Sequence, residues 1–246
     1  MTADFTPAQF AAACDADVLG AQIYAGWCIH TPSPLDTPFW LQQSGGQCTA
    51  ALGFIDSRVT ISATPAVDKP ELRAFLAQFA VQEIHCTVAL AAQLALTVRE
   101  HQYIQQIVPP PASQSAPSLT DEQLRDVYAL LRTAGFRDLP MEYGAWLSTL
   151  GRRQRLGVGD VFALYQGTEL LATAQVCART ASRAFLGSVA VREAARGQGL
   201  GIAVVREALG HANRPVAELL CAAHNRGFYS KCGFHEVGEA LRGTLV

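Results

Sequence analysis

Hydrophobic positions fall into short apolar runs and helical stripes along the chain, and the clearest succession lies at residues 186–209. Leu186, Val189 and Val191, with small residues between them and charge following at Arg192 and Glu193, predict a buried strand. Leu200, Ala203, Val204 and Ala208 recur every three or four residues while Arg206 and Glu207 turn outward, which predicts an amphipathic helix. Upstream, Thr120 and Gln123 form a capping box before the stripe Leu124, Val127, Leu130 and Leu131, and Gly135 stops that helix. A second helix over about residues 141–150 carries Tyr143, Trp146 and Leu147, with Arg152, Arg153 and Arg155 beyond it as a solvated basic end. Strands are predicted at 161–165 and 170–177 around the turn Gln166-Gly167-Thr168, then at 184–191 and 218–223, with a short helix at 226–231.

The first half is patterned less sharply. Residues 5–30 read as lightly amphipathic helix, with Phe10, Ala13, Val18 and Ile23 recurring, and Thr31-Pro32-Ser33-Pro34 breaks the chain. Residues 49–54 and 58–63 predict a hairpin turning through Ile55-Asp56-Ser57. Pro70 and Glu71 open a helix with Leu72, Phe75, Leu76 and Phe79 on one face. A strand at 83–88 and a helix or turn through Ala91, Leu94 and Leu96 follow, while Trp27, Phe39 and Trp40 read as packing aromatics. Val108 and the Pro/Ser/Ala-rich residues after it predict an extended linker. The expected organisation is therefore an α/β domain at 1–108, a linker at 109–118 and a second domain at 119–246.

Composition narrows the classes. Half of the 246 residues are apolar and 16% charged, enough for a sizeable core, and the formal charge of −2 gives no footprint for nucleic acid or an anionic membrane. No apolar run approaches the roughly 20 residues of a spanning helix, and the start lacks the basic and apolar regions of a signal peptide, so a cytoplasmic location is expected. Seven cysteines with no Cys-x-x-Cys pair read as reduced thiols, ahead of disulfides or a metal site.

Candidate chemistry lies in Arg196-Gly197-Gln198-Gly199-Leu200-Gly201, between the strand and helix of residues 186–209. Glycines there let backbone N–H groups approach a ligand, and the first turn of a helix has unpaired donors at a positive dipole end, which suits a phosphate or pyrophosphate. Neither a nucleoside-triphosphate loop nor a first-strand dinucleotide fingerprint fits: Gly-Lys-Ser/Thr is lacking and the run lies late in the chain. Arg196-x-x-Gly199-x-Gly201 after a Val-x-Val strand, followed by Phe228-Tyr229-Ser230-Lys231-Cys232-Gly233-Phe234, resembles the two signatures of the GNAT acetyltransferase superfamily.

The resemblance covers the C-terminal half well and the first half only weakly, as a worn-down half of the same kind without the glycine loop. It implies an α/β (α+β) fold, a mixed central sheet flanked by helices, preceded by a smaller α/β domain with a structural or acceptor-shaping role. It implies acetyl-CoA as co-substrate, with Val189, Ala190 and Val191 along the pantetheine. Arg196, Gly197, Gln198, Gly199, Leu200 and Gly201 would form the pyrophosphate seat, and Asn225 and Phe228 would lie nearby. Tyr229 matches the tyrosine that protonates the leaving thiolate, against the alternative that Phe228, Tyr229 and Phe234 are core aromatics.

The implied reaction is direct attack by a primary amine of a small molecule or peptide, so Cys221 and Cys232 read as buried small residues rather than nucleophiles. Members often carry a glutamate on the strand before the loop; here that strand has none. Ser188, Glu218, His224 and Glu142 are the remaining candidates for handling the amine proton, with His224 and His235 otherwise ordinary loop histidines. The resemblance leaves a homodimer open and gives no reason to expect a metal. Two alternatives stand beside it: a non-catalytic acyl-CoA-binding or interaction module on this fold, and a flavodoxin-like or Rossmann nucleotide-binding protein.

Overall fold

Both halves of the chain open on the same local device. Thr6 Oγ1 accepts from Gln9 N at 3.2 Å while Gln9 Oε1 accepts from Thr6 N at 2.8 Å. Thr120 and Gln123 make the same reciprocal pair at 3.3 and 2.9 Å. Each box satisfies donors that a helix start leaves unpaired.

From those starts the two halves repeat one order of elements in the computed structural model, which describes residues 1–30, 38–55, 57–111, 118–136 and 139–245. The first half runs α1 (Pro7–Ala13), α2 (Val18–Ile29), β1 (Phe39–Ser44), β2 (Gln47–Ile55), β3 (Arg58–Ala63), α3 (Lys69–Leu76), β4 (Glu83–Thr87), α4 (Val88–Gln93) and β5 (Thr97–Ile107). The second runs α5 (Asp121–Thr133), α6 (Tyr143–Arg155), β6 (Asp160–Gln166), β7 (Glu169–Arg179), β8 (Arg183–Val191), α7 (Leu200–Gly210), β9 (Val216–Cys221), α8 (Arg226–Lys231) and β10 (His235–Thr244).

The ten strands among the described residues form one sheet in the order β1-β2-β3-β4-β10-β5-β9-β8-β7-β6. Each half thus keeps its first four strands together and lends its last strand to the other half. β10 pairs antiparallel with β4 at Leu241↔Cys86, and β5 pairs antiparallel with β9 at Ile104↔Leu220. The two lent strands pair with each other in the middle, at Ala240↔Gln102. The result is a mixed sheet flanked by helices, as expected for the α/β class.

α2 ties the halves on one face. Val18 and Leu19 pack with Ile104, Ala240, Phe185 and Leu220, from strands of both halves. At the other end of α2, Arg152 Nε donates to Cys28 O at 2.8 Å and a terminal nitrogen donates to His30 O at 3.2 Å. These carbonyls close a helix C-terminus, where a cation is favoured. Between α1 and α2, Asp15 accepts from Thr180 Oγ1 and from Ser182 N at 3.0 Å, and its carbonyl takes Arg183 Nε at 2.9 Å. No helix among the described residues is long and apolar enough to cross a membrane.

Several expectations need correction. The apolar run of residues 5–30 is two helices, parted where Asp17 caps α2 through Gly20 N. Phe39 and Trp40 do pack, but as part of a strand that the pattern did not predict. β5 was not predicted either, because its residues include Glu100, His101, Gln102, Gln105 and Gln106. Several of those side chains meet neighbours distant in sequence, as Gln106 Nε2 does Glu218 Oε1 at 2.8 Å. α3 ends at Leu76, leaving Phe79 exposed at its edge against Phe54. α6 runs on to Arg155, so the three arginines lie in its last turn, and Arg152 is a contact between halves rather than a solvated end. The break at Thr31–Pro34, Asp56 of the hairpin turn and residues 112–117 of the linker lie outside the described residues.

Burial pulls the Asp15 carboxyl upward, yet the hydrogen bonds from Thr180 and Ser182 outweigh it and hold its pKa below the ordinary carboxylate value. A depressed pKa stabilises the fold above the unfolded value of about 3.9, and that stability is lost as pH falls through the native pKa. Asp15→Ala is therefore expected to lose about 1–2 kcal/mol at neutral pH, by urea denaturation. The gap to wild type should close in acid below about pH 4; an equal gap at both pH values would contradict the assignment.

Candidate active site

β8 and β9 are parallel neighbours that separate. They pair only at Arg183↔Val216, Ala184↔Ala217 and Phe185↔Glu218. Beyond Phe185, β8 stays bound to β7 through two register shifts, and β9 stays bound to β5 as far as Cys221. Shifts of that kind bend a strand away from its neighbour. Ser188, in the bent stretch, takes φ of 53°, and Gly187 beside it has no room for a side chain: a Cβ would lie 2.9 Å from Cys177 Sγ.

The separated stretch of β8 presents backbone to the gap. Arg192 N donates to Leu171 O at 2.8 Å, so residue 192 faces β7. By strand alternation the backbone groups of Ala190 face β7 as well, whereas those of Val189 and Val191 turn toward the gap. The Ala190 side chain is buried with Trp146 and Leu150. Among the three predicted strand residues, the two valines therefore turn backbone groups to the gap, while Ala190 packs behind them.

At the end of β8 a single turn of 3-10 helix, Glu193–Ala195, leads to an exposed loop. Arg196 is extended, and Gly197 and Gly199 have φ of 81° and 79°, in the left-handed region that glycine tolerates. No backbone N–H of Gly197, Gln198 or Gly199 meets a backbone acceptor among the described residues. Gly199 is the N-cap of α7 and supplies no side-chain cap, so the first-turn donors of Leu200 and Gly201 are also open. Five residues of the predicted seat, Gly197 to Gly201, thus come together as one concave run of donors at a helix N-terminus, chemistry suited to a diphosphate.

The corresponding place in the first half has been filled. Between β3 and α3, Asp68 caps Glu71 N at 2.9 Å with its carboxylate. Gln42 Oε1 accepts from Asp68 N, and Gln42 Nε2 donates to Asp68 O and to Glu71 Oε2, all at 2.8 Å. Two carboxylates and an amide occupy the helix entrance, which repels an anion. The strands β3 and β4 also pair briefly in parallel, at residues 58–60 with 83–85, but the seat above them is closed.

α8 stands over the gap. A Cβ on Gly201 would lie 2.9 Å from Phe228 Cε2, so that glycine serves the packing of Phe228 as well as exposing a donor. Phe228 and Tyr229 rings meet edge-on at 4.9 Å, and Tyr229 meets Phe234 at 5.9 Å. Burial, then the nearby thiols of Cys221, Cys232 and Cys177, pushes the Tyr229 phenol well above its ordinary pKa, so it keeps its proton throughout the physiological range. Burial lifts the Cys221 and Cys232 thiols to about 11, which leaves them protonated and poor nucleophiles.

Other predicted residues lie at the surface or in an ion pair. Asn225 is exposed and makes no side-chain cap to α8, and His224, His235 and Glu142 are exposed. Glu218 is buried, with Oε1 in an ion pair with Arg183 at 2.7 Å and accepting from Gln106 at 2.8 Å, while its Oε2 is buried without a partner. Sequence reasoning missed the wall opposite α7: Arg153 on α6 and Gln175 and Cys177 on β7. The signal was present, since Arg153 continues the Trp146–Leu150 stripe at helical spacing.

Residues 153–236 match the acetyltransferase (GNAT) domain. Among solved structures, the chain resembles a GCN5-related N-acetyltransferase from Kribbella flavida, with a TM-score of 0.64 and 16% identity over 94% of each chain. It also resembles one from Sphaerobacter thermophilus, with a TM-score of 0.60 and 16% identity over 91% of this chain and 84% of that one. A tandem GNAT protein from the clavulanic acid biosynthesis pathway gives a TM-score of 0.54 and 15% identity, covering 83% of this chain and 81% of that one. At these identities the likeness is one of fold. No curated protein matches the chain.

Restoring a side chain where α7 meets α8 tests this packing. Gly201→Ala is expected to displace Phe228 and lower stability by about 1–3 kcal/mol, the usual cost of overpacking, visible as an earlier urea midpoint. A variant as stable as wild type would show that Phe228 yields freely.

Proposed function

We propose that this chain, in which residues 153–236 form a GNAT acetyltransferase domain, transfers acetyl from acetyl-CoA to a primary amine. The observation that carries the reading is the contrast between halves: one loop is glycine-lined and open at Gly197 and Gly199, while its counterpart is filled by Asp68 and Gln42. An open helix entrance without a carboxylate suits a diphosphate, and the separated strands offer Val189 and Val191 backbone groups to pantetheine amides. When bound, acetyl-CoA supplies the activated thioester.

This chain's residues then divide the work. Gln198, Gly199 and Gly201 donate N–H groups to the diphosphate, with Arg196 and Gly197 shaping the turn. Each hydrogen bond to a charged group contributes about 1.5–3 kcal/mol, so three or four suffice for micromolar affinity after ordering costs. Val189 and Val191 set the depth of the pantetheine along β8. Tyr229 holds a proton at Oη for the departing thiolate sulfur. Its raised pKa weakens it as an acid but guarantees that the proton is present. Residues 1–108 shape the acceptor side through α2 and take no second co-substrate.

A second reading, a non-catalytic acyl-CoA-binding module, is favoured by one observation: β8 carries no carboxylate. CoA release with a panel of amines separates the two readings, because the binding module releases none.

Two substitutions test the assignment. Gly199→Glu puts strain at a left-handed φ and a negative charge at the seat, and calorimetry should find acetyl-CoA binding abolished; undiminished affinity would reject the seat. Tyr229→Phe should lower kcat roughly 10²-fold, the low end for general acid catalysis, with acetyl-CoA affinity unchanged. Wild-type turnover in that variant reduces Tyr229 to a packing residue.

A further inference from the structure

The inward arginine of α6 points to what the acceptor carries. Arg153 follows Trp146 and Leu150 on the face of α6 that packs against the sheet. Its stem is pressed to the backbone of Gly159, where a Cβ would lie 3.2 Å from Arg153 Cβ and 3.4 Å from Cδ. That contact holds the stem of a half-buried side chain. Its Nε is sealed from solvent without a hydrogen bond, and Arg153 forms no ion pair among the described residues.

A second unmet donor lies on the same face. Gln175 on β7 is 5% exposed, and its Nε2 is buried with no partner. Its partner across the sheet is Gly187, next to Ser188 in the bend that opens the gap. Two residues along, burial raises the pKa of the Cys177 thiol, and the charge of Arg153 and a hydrogen bond with Ser188 offset part of that rise. Cys177 also acts on the Tyr229 phenol. Cys28 of α2 feels the same guanidinium. Arg153 and Gln175 therefore face the gap from the α6 and α2 side, across the sheet from α7 and within electrostatic reach of the groups that border Tyr229.

A buried donor without a partner is costly to keep, and two beside the reacting end of a cleft are conspicuous. A guanidinium and a primary amide together present planar N–H donors to a two-oxygen anion. The charge selects among anions. Arg152, the other guanidinium near Cys28, is already engaged by the carbonyls of Cys28 and His30. Arg153 is therefore the group left to meet a single negative charge, and a dianionic phosphate would be less well balanced.

We propose that Arg153 and Gln175 bind a carboxylate on the acceptor, so that the acceptor class is amino acids rather than simple amines or amino sugars. The choice of an amine rests on the acetyl-transfer reading above; the anion site does not.

The test pairs a catalytic and a binding readout. CoA release is measured with glycine, glycinamide and methylamine, and with larger amino acids, their amides and their decarboxylated amines. Acids should be used with KM at least about 10-fold below their amides, as expected for one charge-assisted bond. Arg153→Met should raise the KM for acids about 10- to 100-fold, with kcat within about threefold and acetyl-CoA affinity unchanged. Gln175→Leu should raise it less. Independently, N-acetylglycine and N-acetyl-leucine should raise the melting temperature of the wild type and not of Arg153→Met, whether or not any amine is acetylated. Equal use of acids and amides, or equal stabilisation of wild type and Arg153→Met, overturns the carboxylate site. Stabilisation that depends on Arg153 without any CoA release would leave that site standing and sink the transferase reading instead.

Discussion

β9 can part from β8 only because its other edge is held by β5. A strand that loses one neighbour at its C-terminal end leaves N–H and C=O groups unpaired, and if it lost both it would fray. Here Tyr103 to Ile107 pair with β9 along Cys221 to Ala217, which includes the stretch where β8 has gone. That support comes from the first half of the chain. The opening in the second half is therefore built from both, and residues 97–107 are as much part of the site as the glycine loop. The exchange is mutual: β10 supports β4 in the same manner, so neither half has a complete sheet without the other.

Duplication of the element order makes the difference between the halves readable as chemistry. Both have three antiparallel strands, a helix entered from the third, and a fourth strand that joins the third only briefly. At the helix entrance, one half has Gly197 and Gly199 and the other has Asp68 with Gln42. An acidic N-cap stabilises its own helix by roughly 1 kcal/mol, and the same charge opposes a phosphate there. α7 forgoes that stabilisation and leaves its donors for a ligand.

Local signals were legible where the chain is locally determined. The Thr120–Gln123 box, the glycine loop and the short helix Arg226–Lys231 follow from neighbouring residues alone. The repeat leaves a trace too: Phe5-Thr6-x-x-Gln9-Phe10 echoes Leu119-Thr120-x-x-Gln123-Leu124. What could not be read depends on distant partners. β5 looks polar because its glutamines answer Glu218 and Glu236 of the other half. Arg152 looks like an exposed helix end until the C-terminus of α2 is placed against it. The gap itself has no sequence signature, since it arises from register shifts within β7 and β8.

The absence of a carboxylate on β8 bears on which amines such a site can acetylate. An amine attacks only when neutral, and without a base it must arrive so or lose its proton to water. A lysine-like amine with pKa about 10.4 is neutral in fewer than one molecule in a thousand at pH 7, a handicap of about 4–5 kcal/mol. A peptide's terminal α-amine with pKa about 8 is neutral in roughly one in ten, a handicap of about 1.4 kcal/mol. A free amino acid lies between the two because its own carboxylate favours the ammonium form. A nearby guanidinium lowers the handicap by disfavouring the ammonium form, the direction in which Arg153 acts on the Cys177 thiol against the larger, raising effect of its burial. An amine whose carboxylate is paired by a fixed guanidinium therefore needs less from a base than a lysine-like amine does, and the course of Arg153 and the lack of a glutamate on β8 fit one arrangement.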